Sequence, residues 1–316
     1  MPFHSGFAAI VGRPNAGKST LVNTLVGRKV SIVSPKPQTT RNCIRGILNR
    51  DDCQIVLLDT PGLHKPENVL SRQMMGELQN ALEGVDVLSL IVDASADRGA
   101  GQPSVAGDRF PMEWLRKFRG PVFLLLNKVD RVHKPLLLPL IDRYSRAFDF
   151  AEILPISALT GEGCFDVVKS WRALLPEALP HFPADQFTDQ PERFLAAEVV
   201  REKAIHASRQ EVPHAIAVMV DGFDESADLI RIRATIYVER EGQKGILIGR
   251  GGETMKKIGT AARKELETIL GAHIFIELFV KVLPNWRQNP LIVRQLDWRR
   301  QLDRLAEYQQ ARGEKS

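Results

Sequence analysis

The chain has 316 residues, 44% of them hydrophobic and 26% charged, which excludes a disordered polymer and leaves room for two domains with separate cores. The net charge of +5 is mild but uneven, with 14 Lys or Arg against 7 Asp or Glu between residues 231 and 300. That local excess permits a polyanionic partner for the C-terminal region.

From the N-terminus, "FAAIV" is strand-like and leads into Gly12-Arg13-Pro14-Asn15-Ala16-Gly17-Lys18-Ser19-Thr20, followed by the helical run "STLVNTLVG". Strand, G-x-x-x-x-G-K-[ST] and helix in this order form a phosphate loop. Backbone N–H groups turn inward around phosphate oxygens, Lys18 pairs with the β- and γ-phosphates, and Ser19 ligates Mg²⁺. "SPKPQTTRN" comes next, where a first switch loop belongs, and Thr40 is expected to complete the Mg²⁺ shell, with Thr39 the close alternative.

The strand "QIVLL" ends in "LDTPG", placing Asp59 beside the metal and Gly62 where a backbone N–H senses the γ-phosphate. "SRQMMGELQNALEG" reads as a helix, "VLSLIV" as a strand, and residues 97–110, "DRGAGQPSVAGDRF", as an exposed glycine-rich connection. After "PVFLLL" comes "NKVD", with Asn127, Lys128 and Asp130. An aspartate there accepts both guanine N1–H and N2–H₂, which favours GTP over ATP. After the strand "EILPI", Ile156-Ser157-Ala158 are expected to offer a backbone N–H to guanine O6. The alternation predicts a mostly parallel, doubly wound α/β sheet with all four motifs at its carboxyl edge.

Two features concern hydrolysis itself. The residue after Gly62 is Leu63, which has no polar group to orient a water, and His64 follows it; turnover is therefore expected to be slow. Asn15 can direct its amide oxygen toward a K⁺ ion beside the phosphates, or merely stabilise the turn. The residues expected to act in catalysis are Lys18, Thr40, Gly62 and Asn15.

Prolines gather at residues 176–191 and the pattern then changes. Residues 1–178 are read as the GTPase domain, 179–193 as a linker, 194–288 as a second domain and 289–316 as a helical tail. The second domain reads α-β-β-α-α-β around Gly249-Arg250-Gly251-Gly252, the type II KH order, whose G-x-x-G turn clamps single-stranded nucleic acid. Arg250, Lys256 and Lys257 add charge, and Ile246, Leu247 and Ile248 are expected to line the floor. Three cysteines and seven histidines have no disulfide or metal-ligand spacing. No signal peptide or spanning segment is evident, so a cytosolic protein is expected. A rival reading is a GTPase of membrane or protein traffic whose C-terminal domain binds protein or lipid.

"GRPNAGKST", "QTTRN", "DTPGLH", "NKVD" and "PISA", followed by "FLAAEVVREK", "YVEREGQKGILIGRGG" and "ELFVKV", closely resemble the bacterial Era GTPases over about residues 6–286. The resemblance implies GTP/GDP and Mg²⁺ as ligands and a role in assembly of the small ribosomal subunit. It also implies binding to single-stranded rRNA from the 3′ region of 16S rRNA. A cytoplasmic protein able to associate peripherally with the inner membrane, as a monomer or weak dimer, is expected. Beyond Trp286 the chain is longer and more basic than the family pattern.

Overall fold

The computed structural model describes residues 2–36, 39–96, 109–208, 212–226 and 228–295. Two compact units emerge, residues 1–65 with 74–190, and residues 66–73 with the chain from 191 onward.

Up to residue 190 the elements run β1 (His4–Val11), α1 (Lys18–Val26), β2 (Ile44–Arg50), β3 (Cys53–Asp59), α2 (Val69–Ala81), β4 (Val87–Asp93), α3 (Arg109–Leu115), β5 (Val122–Asn127), α4 (Leu137–Ala147), β6 (Glu152–Pro155) and α5 (Cys164–Arg172). The strands form one sheet in the order β2-β3-β1-β4-β5-β6. All neighbours are parallel except β2, which runs antiparallel to β3. β3 and β5 are buried at every position, as strands covered on both faces must be, and this is why they read as unbroken apolar runs. Side chains alternate between two cores: Ala8 and Ile10 enter one with Leu21 and Trp171, while Ala9 and Val11 enter the other with Leu78 and Tyr144.

Strand β2 was not expected. "IRGILNR" carries Arg45 and Gly46 inside it and lacks the apolar run of its neighbours. Its outer edge is occupied by residues that read as linker. Ile47 N–H donates to Phe187 O at 2.9 Å, Gly46 bridges Thr188, Thr188 Oγ1 donates to Arg45 O, and Asn49 Nδ2 donates to Gln186 O. The segment is thus fastened to the first unit, and the second begins at Pro191.

The second unit contains α6 (Glu192–Ala207), β7 (Ala217–Ser226), β8 (Leu229–Val238), α7 (Glu241–Ile248), α8 (Glu253–Leu270), β9 (His273–Val282) and α9 (Pro290–Gln295). β8 lies between β7, antiparallel to it, and β9, parallel to it. Helices α6 and α8 cover one face through Val199, Val200, Ile258, Ala262 and Leu266. This is the α-β-β-α-α-β order of a type II KH domain. Residues 97–108 of the expected glycine-rich connection, and the tail after residue 295, lie outside the described residues.

Candidate functional site

The phosphate loop leaves the end of β1 and enters α1, at the carboxyl edge of the sheet. It borders a cavity of about 400 Å³ lined by Asn15, Lys18, Ser19, Thr20, Thr40 and Gly62, among others. Lys18 is buried, its Nζ donating to Gly12 O (3.2 Å) and Arg13 O (3.0 Å). Burial pulls its ammonium down to about 8, against the opposing pull of the Asp59 charge. A buried cation bonded to two carbonyl oxygens and near one carboxylate charge suits a polyanion.

Ser19 Oγ and Thr40 Oγ1 are 2.8 Å apart, and Thr40 Oγ1 is 3.5 Å from Asp59 Oδ2. Thr39 Oγ1 instead donates to Lys36 O. Of the two candidate threonines, Thr40 is therefore the one gathered with Ser19 and Asp59. Asp59 is fully buried and its Oδ1 makes no hydrogen bond. Burial raises its carboxyl, and the Ser19, Ser31 and Thr40 hydroxyls and the Lys18 charge pull it back. An under-bonded carboxylate beside two hydroxyls is the hard-oxygen donor set that Mg²⁺ takes.

Gly62 lies against the phosphate loop so closely that a side-chain carbon would come within 2.9 Å of Pro14 N. Leu63 is 2% exposed, packed with Met75 and Leu78 in the core, so it points away from any water to be oriented. His64 is half-buried. Its Nδ1 donates to Lys65 O at 3.0 Å, and its Nε2 is buried with no hydrogen-bond partner. Asn15, exposed and in the left-handed region at φ 63°, donates Nδ2 to Pro35 O at 2.8 Å. That bond turns its amide oxygen the other way.

The base-side motif is more interlocked than its sequence suggests. Asn127 Nδ2 donates to Ala16 O, and Asn127 Oδ1 accepts Ala158 N–H, at 2.7 and 2.8 Å. Asn127 thus ties the phosphate loop to the Ser157-Ala158 loop. The backbone expected to meet guanine O6 is also bonded within the protein. Ile156, Ser157 and Ala158 N–H are all taken up within the protein, by Leu126 O, Glu162 O and Asn127 Oδ1. Ser157 Oγ donates to Asp130 Oδ1 at 2.7 Å and so orients the carboxylate. Lys128, at φ 67°, reaches Asp93 Oδ2 at 2.5 Å. Asp93 also accepts Ser95 Oγ. Neither residue was singled out in the sequence, although Asp93 ends a strand just as Asp59 and Asn127 do.

In the second unit α7 and α8 are joined by the glycine turn. Gln243 Oε1 accepts the N–H of Glu239 and Arg240 and caps α7. Gly249, Gly251 and Gly252 have φ of 73°, 59° and 82°. At Gly249 a side chain would also collide with Thr254, so both the backbone and the packing demand glycine. The turn feeds the 18-residue helix α8, whose N-terminus favours anions. Arg250 and Lys256 are exposed. Lys257 pairs with Glu253 at 2.6 Å across i,i+4, a surface pair that an anion can displace. Of the residues expected to line the floor, Leu247 is fully buried, Ile248 is half-buried and Ile246 is 43% exposed.

A family model described as "50S ribosome-binding GTPase" matches residues 7–128, and one described as "KH domain" matches residues 211–287. Among solved structures, a single-substitution variant of Aquifex aeolicus Era bound to GDP·AlF4⁻ is 41% identical to this chain. It superposes with a TM-score of 0.87 over 94% of this chain and 99% of that one. Era in complex with MgGDPNP and nucleotides 1506–1542 of 16S ribosomal RNA matches with the same identity, coverage and TM-score.

Proposed function

Because the chain belongs to the Era family of GTPases, we propose that it is a GTP-hydrolysing switch that binds single-stranded rRNA from the 3′ region of 16S rRNA through its KH domain. The observation that carries this is the presence, in one chain, of two phosphate grips of different kind. One is a nucleotide cavity with a buried lysine and a metal-ready carboxylate; the other is a G-x-x-G turn at a helix start. Residues 1–178 hold the first activity and 194–288 the second. The setting is assembly of the small ribosomal subunit in the cytoplasm, with peripheral contact at the inner membrane, by a monomer or weak dimer.

Lys18 and the backbone of residues 12–17 hold the β- and γ-phosphates, and Ser19, Thr40 and Asp59 hold Mg²⁺. Bound Mg²⁺ offsets charge developing on the phosphate oxygens. Gly62 N–H reports the γ-phosphate, and Asp130, oriented by Ser157, reads guanine. With its nitrogen anchored on Pro35, Asn15 offers its oxygen to a K⁺ ion at the phosphates, in the place where an arginine finger supplies charge elsewhere. Hydrolysis should then be several-fold faster in K⁺ than in Na⁺ buffer, and equal rates would reject the cation role.

The RNA reading is tested with a single strand from the 3′ end of small-subunit rRNA at one fixed salt concentration. Affinity is measured with GDP and with a non-hydrolysable GTP analogue. Gly251→Asp, which places a negative charge in the turn, should abolish binding in both states; unchanged affinity in this variant would sink the assignment of the loop.

A further inference from the structure

Glycines 249, 251 and 252 are explained by their backbone angles, but Gly259 is not. It lies in the middle of α8, the longest helix among the described residues, with ordinary helical backbone. A methyl group added there would meet only Leu278 Cδ1 at 3.6 Å, an ordinary contact. Neither strain nor crowding demands glycine, and glycine is the poorest helix former after proline. Gly242 and Gly245 on α7 are similarly unneeded by the fold, and both are exposed. Gly259 differs from them because of where it lies.

It stands seven residues beyond Gly252, about 10 Å along the helix axis from the G-x-x-G turn. It sits beside the buried stripe of Ile258, Ala262 and Leu266, on the side turned to Leu278 of β9. β9 is an edge strand, and Leu278 is only partly covered. Gly259 therefore lies on the rim between α8 and the sheet edge, on the same helix that the turn opens. A strand clamped at the turn and laid along α8 would run over this spot.

We propose that Gly259 is a specificity-determining residue of the RNA groove: its missing side chain leaves a flat, apolar seat, floored by helix backbone and Leu278, in which one base of the bound strand lies. The inference rests on the reading of the turn as an RNA clamp. A side-chain methyl would fill the seat and lift the base from it, while improving the helix. The two effects have opposite signs, and a glycine kept only for folding would show neither.

The test uses the full chain with Mg²⁺ and the GTP analogue, and the same 3′ rRNA strand. Gly259→Ala is expected to raise the melting temperature yet weaken RNA binding by roughly fivefold or more. Gly242→Ala, at the start of α7, should leave binding unchanged. Single abasic positions along the RNA add a second readout. The position seated at Gly259 should cost the wild type affinity and cost Gly259→Ala nothing further, as expected for two changes that remove one contact. If Gly259→Ala binds as wild type does while Gly251→Asp has lost binding, the seat is refuted and the clamp stands. If abasic losses are the same in wild type and variant at every position, the seat is likewise refuted. If wild type binds no RNA, both fall together.

Discussion

At the scale of single residues, the motif spacings identify Lys18, Ser19, Thr40 and Asp59, but not the bonds that hold the base side together. Asp93 shows why this matters. Burial alone would raise its carboxyl, but the hydrogen bonds from Lys128 and Ser95, with the Lys128 charge, outweigh burial and hold it below its ordinary value of 3.8. A carboxyl lowered in the folded state contributes stability that is fully present above 3.8 and is lost as pH falls through the folded value. Asp93→Asn should therefore destabilise the fold near neutral pH by on the order of 1 kcal/mol, read as a lower melting temperature. The gap between wild type and variant should close in acid; a gap that stays constant down to acid unfolding would reject the pairing. Guanine-nucleotide affinity should fall as well, because Lys128 would lose its anchor. None of this was legible in sequence. Asp93 and Lys128 are 35 positions apart, and Asn127 meets Ala16 across 111; separations of that length are set by topology and leave no local signal.

At the scale of elements, the parallel strands were legible because burial on both faces makes them continuous apolar runs. Strand β2 was not, because it pairs at an edge and tolerates Arg45. The KH order was legible from the succession of periods around the G-x-x-G turn. Within it α6 is unusual, since ten of its 16 residues are buried, including Glu198, Arg201 and Glu202. Arg201 donates to both Glu198 oxygens, at 2.7 and 2.6 Å. Lys203 pairs with Glu202 and with Glu265 of α8. Removing one member of such a buried pair strands its partner, at a cost of about 3–5 kcal/mol, whereas an apolar replacement of both is often neutral. Arg201→Ala should therefore destabilise the KH unit severely, while Glu198→Leu/Arg201→Met should be tolerated. Thermal denaturation of the two variants distinguishes this from a pair of no consequence, for which both would melt with the wild type.

At the scale of the whole molecule, residues 66–73, which follow the Asp-x-x-Gly loop directly, group with the KH unit and not with the sheet that precedes them. Val69 and Leu70 belong with Ala217, Trp286 and Val293 there. A GTP-hydrolysing switch that acts on RNA requires nucleotide state and RNA affinity to be coupled. Coupling of binding free energies is reciprocal and typically about 1–3 kcal/mol, so whatever factor GTP imposes on RNA affinity, RNA imposes on GTP affinity. Titrating each ligand in the presence and absence of the other should give one factor; two unequal factors would mean that the preparations were not measuring one equilibrium, and a factor of one would make the KH unit a passive anchor. The segment from 186 to 188 has a different consequence, for dissection of the protein. By lying along β2 it shields the open ladder of an edge strand, the surface through which sheets recruit further chains. A fragment ended at residue 178 would bare that ladder and should self-associate, while one ended at residue 190 keeps its guard and should remain monodisperse by light scattering.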